Sequence, residues 1–445
     1  MNASPSYAMN APLADVTSLE YETAYAPAIK TGKRVIAMMD LTLEDNRLVE
    51  QGLHLHMVRL NPTPRGGKPI EVCGSGLDEL QASRAGLYGA VAQMIHARYA
   101  TGASIGVQNV AEYIKEPGVE EAFGEVLPLL QSQPDSRIAT TRFTELEGNR
   151  VLPMPLALVN PGYLLDVEAG EVPSAIDDTF NYWQLRSYST NNGTAAGPTR
   201  DEALVQAMLG AQQNMAAGRF AVCGIGLRQK RYLRRVDTAT LPPQIRALWE
   251  MTQLRYGHPI HLLDISGRGS IPTYMACAEG GDAADYCLVP GAGFTSEHAA
   301  TRALRSLLQA HEHAAWSRSR YNVDPLKTMA RRQQELLSTN SGQYRRFAVQ
   351  NLRDMLASGA FTAVPFGAER PRVPATLEGR IKQLHASFKD DGLTAWWSQY
   401  TLPEAGDSIV FMQVALTPFT ANFLLLEGVP VDISAAWLDA AANED

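Results

Sequence analysis

A chain of 445 residues, 45% hydrophobic and 19% charged, is long enough for two or three compact lobes, and its composition excludes disorder as the default state. Its formal net charge of −8 excludes a basic face for nucleic acid, and no block of like charge marks an interaction tail. Four cysteines, Cys73, Cys223, Cys277 and Cys287, stand far apart without a CxxC pair, which argues for buried reduced thiols rather than a disulfide framework or a zinc knuckle.

The stretch MNASPSYAMNAPLADV carries neither the basic start nor the apolar run of a signal peptide. No stretch reaches the ~20 apolar residues of a membrane span, so the expected location is the cytoplasm. A loose polar extension over roughly the first 30 residues leads into KRVIAMMDLTL, read as a strand, and HLHMVRLNP from His54, a second strand closed by NPTPRGGKP. Further strands are expected at PLALVNPGYLLD, RFAVCGIGL, IHLLDIS and IPTYMACAE. Helical periodicity marks TRALRSLLQAHEHAAW and LKTMARRQQELLS, and GDSIVFMQVALTPF returns to strand alternation. This mixture predicts an α/β (mixed α+β) fold rather than a bundle.

The stretch NNGTAAGPTRDEA from Asn191 is a glycine-punctuated turn running straight into a helix, an arrangement suited to an anion. It is one of three similar entrances: GLDELQAS from Gly76, GPTRDEAL from Gly197 and GFTSEHAA from Gly293. Each has a capping residue two places after the glycine (Asp78, Thr199, Thr295) and an alanine six places after it (Ala82, Ala203, Ala299). The cap oxygen accepts from unpaired first-turn amides, and the glycine lets the chain bend tightly before it. A spacing of roughly 100 to 120 residues is too long for a solenoid, so three strand-turn-helix units around one central cleft are expected.

At these entrances the sequence resembles the YcaO family, proteins that use ATP to modify peptide backbone amides. STNNGTAAGPTRDEALVQAMLGAQQN is similar to the family's second signature in its AAG, its threonine cap and its EAL. GSGLDELQASRAGLYGAVAQMIHARY and GAGFTSEHAATRALRSLLQA stand where the first and third signatures fall, in the same order. The resemblance covers about residues 70–315 and divides the chain into an N-terminal extension with strands (1–65), a YcaO-like core (66–330) and a C-terminal helical and strand region completing the fold (331–445).

In the family each of the three helices carries carboxylates that hold Mg2+ and, through it, the phosphates of ATP. Carried over residue by residue, the first pair falls on Gln93 and His96, the second on Gly210 and Gln213, and the acid of the third helix on Ser306. The family glutamine is kept as Gln309 and one arginine as Arg302; the other arginine becomes Asn214, and Asn191 or Asn192 stands at the asparagine before the glycine turn. None of the five acidic positions keeps its charge, and the second helix has no acid from Ala203 to Gly218. Mg2+ prefers hard anionic oxygens, which these side chains lack. The cofactor-binding candidates are therefore Gln93, His96, Asn191, Asn192, Gln213, Arg302 and Gln309, with ATP and Mg2+ entering only through the resemblance, no metal ligand assigned and no catalytic residue identified.

Other motifs read as structural. His311, Glu312 and His313 diverge around a helix and read as a solvated face. His54 and His56 share one side of a strand but lack a third ligand. GASIG, with Ser104 at its centre, follows a helix instead of a strand and reads as a helix-ending loop, and Cys287 reads as structural. Azoline-forming members commonly end in a PxPxP tail, whereas this sequence ends VDISAAWLDAAANED.

The resemblance implies a component of peptide backbone modification in the biosynthesis of a ribosomally made, post-translationally modified peptide. The replaced acids point to a non-hydrolysing or partner-dependent subunit that binds a precursor peptide and a partner enzyme, with a homodimer allowed. Two alternatives stand beside it: an active azoline- or thioamide-forming enzyme with an atypical site, and an unrelated enzyme that uses Gln93, His96, Gln213 and Arg302 in the old cleft.

Overall fold

The computed structural model describes residues 21–39, 41–50, 53–62, 69–99, 105–170, 176–267, 271–279, 288–321, 349–367, 373–401 and 409–427, with 429, 431, 433 and 438. Helices of at least eight residues and all strands are numbered in chain order.

Helix α1 (Tyr25–Met38) buries Ala28, Gly32, Val35 and Ile36, an i, i+4, i+7, i+8 stripe that closes over the next element. Strands β1 (Leu41–Glu50), β2 (Leu53–Pro62) and β3 (Ile70–Gly76) form an antiparallel sheet in that order. KRVIAMMDLTL was expected as one strand; its first half instead ends α1, because its apolar residues serve a helical stripe, and β1 begins only at Leu41. Helix α2 (Glu79–Tyr99) follows β3.

Strand β4 (Ile105–Asn109) pairs with β5 (Arg137–Glu145), which also carries β6 (Val151–Pro155). Ile105 and Gly106 of GASIG thus belong to a strand and not to a loop, while Ser104 lies outside the described residues. PLALVNPGYLLD is helical, not extended: a turn over Leu156–Val159 is followed by α3 (Pro161–Ala169). The Asn160 side chain accepts from the Tyr163 amide, and Pro161 opens the helix, so cap chemistry overrides the apolar run.

After β7 (Thr194–Gly197) comes α4 (Arg200–Arg219), which passes without a break into a wholly buried π-helix, Phe220–Gly226. RFAVCGIGL is therefore helical and not a strand; a continuous apolar run satisfies either structure once every side is covered. Strands β8 (Arg234–Val236), β9 (Ile260–Asp264), β10 (Thr273–Ala278), β11 (Leu288–Ala292) and β12 (Thr362–Val364) build a second sheet in the order β11-β10-β9-β8-β12. Helix α5 (Pro243–Tyr256) lies between β8 and β9, and α6 (Ser296–Tyr321) follows β11.

Helices α7 (Val349–Ala357) and α8 (Leu377–Asp390) and strands β13 (Thr394–Thr401) and β14 (Val410–Thr417) complete the described chain, before a 3-10 turn over Asn422–Glu427. The third sheet runs β4-β5-β13-β14-β7. LKTMARRQQELLS lies outside the described residues. The fold is mixed α/β, with each of β3, β7 and β11 ending its own sheet and feeding one central helix.

Candidate functional site

The three helix entrances share their atomic detail. The Asp78 carboxylate accepts from the Gln81 amide at 2.8 Å, the Thr199 hydroxyl from Glu202 at 3.3 Å, and the Thr295 hydroxyl from His298 at 3.1 Å. A Cβ placed on Gly76, Gly197 or Gly293 would stand 2.4, 2.8 or 2.5 Å from the backbone nitrogen of Ala82, Ala203 or Ala299, so each glycine is fixed by close approach of strand end and helix. The units then interlock in a ring: α2 packs on β7, α4 on β11 and α6 on β3.

Arg84 of α2 and Glu202 of α4 join the first two units through a buried ion pair. The other oxygen of the Glu202 carboxylate accepts from the backbone amides of Thr23 at 2.6 Å and Glu22 at 3.1 Å, and Arg84 donates to the Thr23 carbonyl at 2.8 Å and lies over the Tyr21 ring. These contacts span residues far apart in sequence, which is why sequence reasoning missed them; the available signal was an acid inside the otherwise apolar EAL.

Helix α4 is buried on most sides; Gln206, Gly210 and Gln213, spaced i, i+4, i+7, are half-buried along one stripe, with Gly210 against the Gly193 turn, and Asn214 and Met215 are half-buried elsewhere on the helix. The guanidinium of Arg302, reaching from α6, donates to Gln206 Oε1 at 3.3 Å. Sequence reasoning passed over Gln206, one turn before the positions it examined. Gln309 lies two turns beyond Arg302, where it accepts from the Ser75 hydroxyl at 2.6 Å and donates to the Cys73 carbonyl. Its amide stitches α6 to β3. Gln93 is exposed on α2, and the side chain of His96 lies outside the described residues.

Asn191 is exposed, and its carbonyl accepts from Thr194. Asn192 turns inward, where its Oδ1 accepts from Asn214 Nδ2 at 2.8 Å. Behind this pair a cavity of about 50 Å3 runs between α4, β14 and the 3-10 turn. Thus the candidates fall into distinct places: Gln213 belongs to the α4 stripe that Arg302 meets at Gln206, Asn192 lines the cavity, and Gln309 serves packing.

The HEH cluster is not a solvated face. Glu312 is 9% exposed and receives two bonds from Arg255, His311 lies 4.4 Å from the Tyr256 ring, and His313 stacks on Trp316. Packing against α5 covers this side of α6. His56 is buried, and its Nε2 sits 3.3 Å from Asp45. Cys73, Cys223 and Cys277 are buried and form no disulfide, and burial pushes the Cys73 thiol up to about 12. Cys287 lies outside the described residues. Among the described residues no three His, Cys, Asp or Glu side chains gather into a group able to hold a metal ion, and no helix is long and apolar enough to cross a membrane.

The family model for the YcaO cyclodehydratases, described as ATP- and Mg2+-binding, matches residues 92–415. The chain belongs to the YcaO family.

Solved structures carry the same fold. A YcaO from Methanopyrus kandleri bound with AMPPCP and Mg2+ is similar over 93% of this chain and 95% of that one, at 14% identity and a TM-score of 0.59. A heterocyclase in complex with substrate and cofactor matches over 87% of this chain and 52% of its own, at 14% identity and a TM-score of 0.55. The E. coli microcin synthetase McbBCD complex matches over 84% of this chain and 87% of the matched chain, at 11% identity and a TM-score of 0.54. No curated protein matches the chain.

The Mg2+ and ATP that the YcaO family description implies can be tested against the donors present. At the positions where the resemblance expects carboxylates, α2 has Gln93 and His96, α4 has Gly210 and Gln213, and α6 has Ser306. Neutral amide and hydroxyl oxygens, an imidazole and a bare backbone do not supply the hard anionic ligands of Mg2+. The side chains at these positions do not fit a Mg2+ nucleotide held in the manner of the family.

Proposed function

We propose that this chain is a YcaO-family component of peptide backbone modification in the biosynthesis of a ribosomally made, post-translationally modified peptide, and that it binds peptide while a partner chain performs the nucleotide chemistry. The observation that carries this reading is the neutral, half-buried stripe of α4, Gln206, Gly210 and Gln213, which Arg302 meets at Gln206. Amide side chains donate and accept at once, which suits the N–H and C=O of a peptide better than a phosphate chain bristling with acceptors. Arg302, held by Gln206, supplies one fixed positive charge without a metal. The architecture of a neighbour, a synthetase named as the McbBCD complex and also solved with pro-MccB17 bound, supports a peptide-directed role within an assembly. The widely spaced cysteines are consistent with work in the cytoplasm.

The test is calorimetric titration of the isolated full-length chain with ATP in the presence of Mg2+, together with a phosphate-release assay. The expected result is neither Mg2+-dependent binding nor release. Sustained turnover by the isolated chain would overturn the reading in favour of an active azoline- or thioamide-forming enzyme.

A further inference from the structure

The cavity beside Asn192 is built with mixed chemistry. Val159, Ala211 and Val414 form its buried floor, Phe419 and Phe423 its walls, and exposed Pro418 its rim. At 10–15 Å3 for each water-sized group, its volume of about 50 Å3 takes roughly three to five heavy atoms, the size of a valine or leucine side chain.

One wall is polar. The Asn192 and Asn214 amides bond to each other, and whether the pair stands as Asn214 donating or with both amides flipped together, the one bond leaves a carbonyl lone pair and N–H donors to spare. Both residues are half-buried and line the chamber. The pair is held rigidly. The Asn192 amide donates to Thr190 Oγ1 at 3.0 Å, and at Gly193, where φ is +69°, the carbonyl accepts from Val414 at 2.8 Å. A Cβ on Gly193 would meet the Val414 oxygen at 2.0 Å, so the turn lies flush on β14.

We infer that this cavity is a peptide subsite: it takes one small aliphatic side chain, while Asn192 and Asn214 pair with the N–H and C=O of the adjoining amide. The assignment rests on the peptide-directed reading above and deepens it by naming where a residue of the peptide is selected. A donor beside an acceptor is the complement of an amide and of neither a phosphate nor a hydrocarbon. From α4 the chamber is lined by Ala211, Asn214 and Met215, whereas the Gln206 side chain is engaged by Arg302.

The experiment is calorimetric titration of the full-length chain with N-acetyl-leucinamide, N-acetyl-leucine methyl ester and N-acetyl-glycinamide, without nucleotide. The amide is expected to bind about tenfold more tightly than the ester, which keeps the acetyl N–H but lacks the N–H donor of the amide on the C-terminal side that the asparagine pair would engage, and leucine more tightly than glycine. Asn214→Leu is expected to erase the difference between amide and ester while keeping the preference for leucine. Met215→Trp, which fills the chamber from its half-buried lining position, is expected to abolish binding of all three, with circular dichroism and the thermal midpoint checking that each variant is folded. Equal affinity for the three probes, binding of none, or folded variants that bind as the parent does would overturn the assignment. Phosphate release by the isolated chain would remove the non-hydrolysing reading and leave these affinities standing, so the two failures are distinct.

Discussion

The guanidinium of Arg84 and the carboxylate of Glu202 meet with 3% and 1% of their side chains exposed, and they belong to two different units of the ring. Removing one member of such a pair strands the other charge in a dry interior, which costs about 3–5 kcal/mol. Glu202→Gln and Arg84→Met are each expected to lower unfolding stability in urea by that order. The double variant should be less destabilised than the sum of the singles, because no unpaired charge remains. Additive losses would show that the two residues do not share one energetic unit.

The helix entrances give a graded series. Thr199→Ala deletes one capping bond and is expected to cost about 1 kcal/mol. Gly197→Ala and Gly76→Ala force a methyl against backbone that has no room to move, so each should cost more, about 3 kcal/mol or above. Denaturant midpoints of the three variants measure the order. A Gly76→Ala protein as stable as the Thr199→Ala protein would contradict the close approach of β3 to α2.

Burial holds the His56 imidazole below its usual range, although Asp45 beside it pulls the other way, and burial lowers His313 in the same sense. The unfolded chain therefore takes up protons first, near the ordinary value of 6.5. The stability these groups contribute is complete above that pH and declines as pH falls through the window below it, by up to about 1.4 kcal/mol per unit for each fully shifted proton. Urea unfolding at pH 7.5 and pH 5.5 should show the loss, and His56→Gln should flatten the slope. An unchanged slope in that variant would remove His56 as its source.

Local chemistry made much of this fold legible. The glycine, cap and alanine of each entrance act within six residues, so the three units could be read directly and their bonds recur in the structure. Runs such as RFAVCGIGL and PLALVNPGYLLD could not be resolved, because a segment buried on every side loses the periodicity that separates helix from strand. The site was legible at its positions but not in its partners. Gln309 was read as a cofactor ligand, yet its amide is engaged by Ser75 and Cys73, more than 230 residues away in sequence. Glu202 was not singled out in the sequence, and only the folded chain brings Arg84 and the amides of Glu22 and Thr23 to it.

The closed succession of α2 on β7, α4 on β11 and α6 on β3 has no first or last member. An open array can shed a terminal copy and survive, whereas excising any third of this circle would bare two packed surfaces at once. Its architecture is secured by glycines, caps and alanines at the joints, while Gln206 and Gln213 lie half-buried further along α4 and are not part of them. A lineage can therefore exchange the chemistry of the hollow wholesale and still inherit the same scaffold.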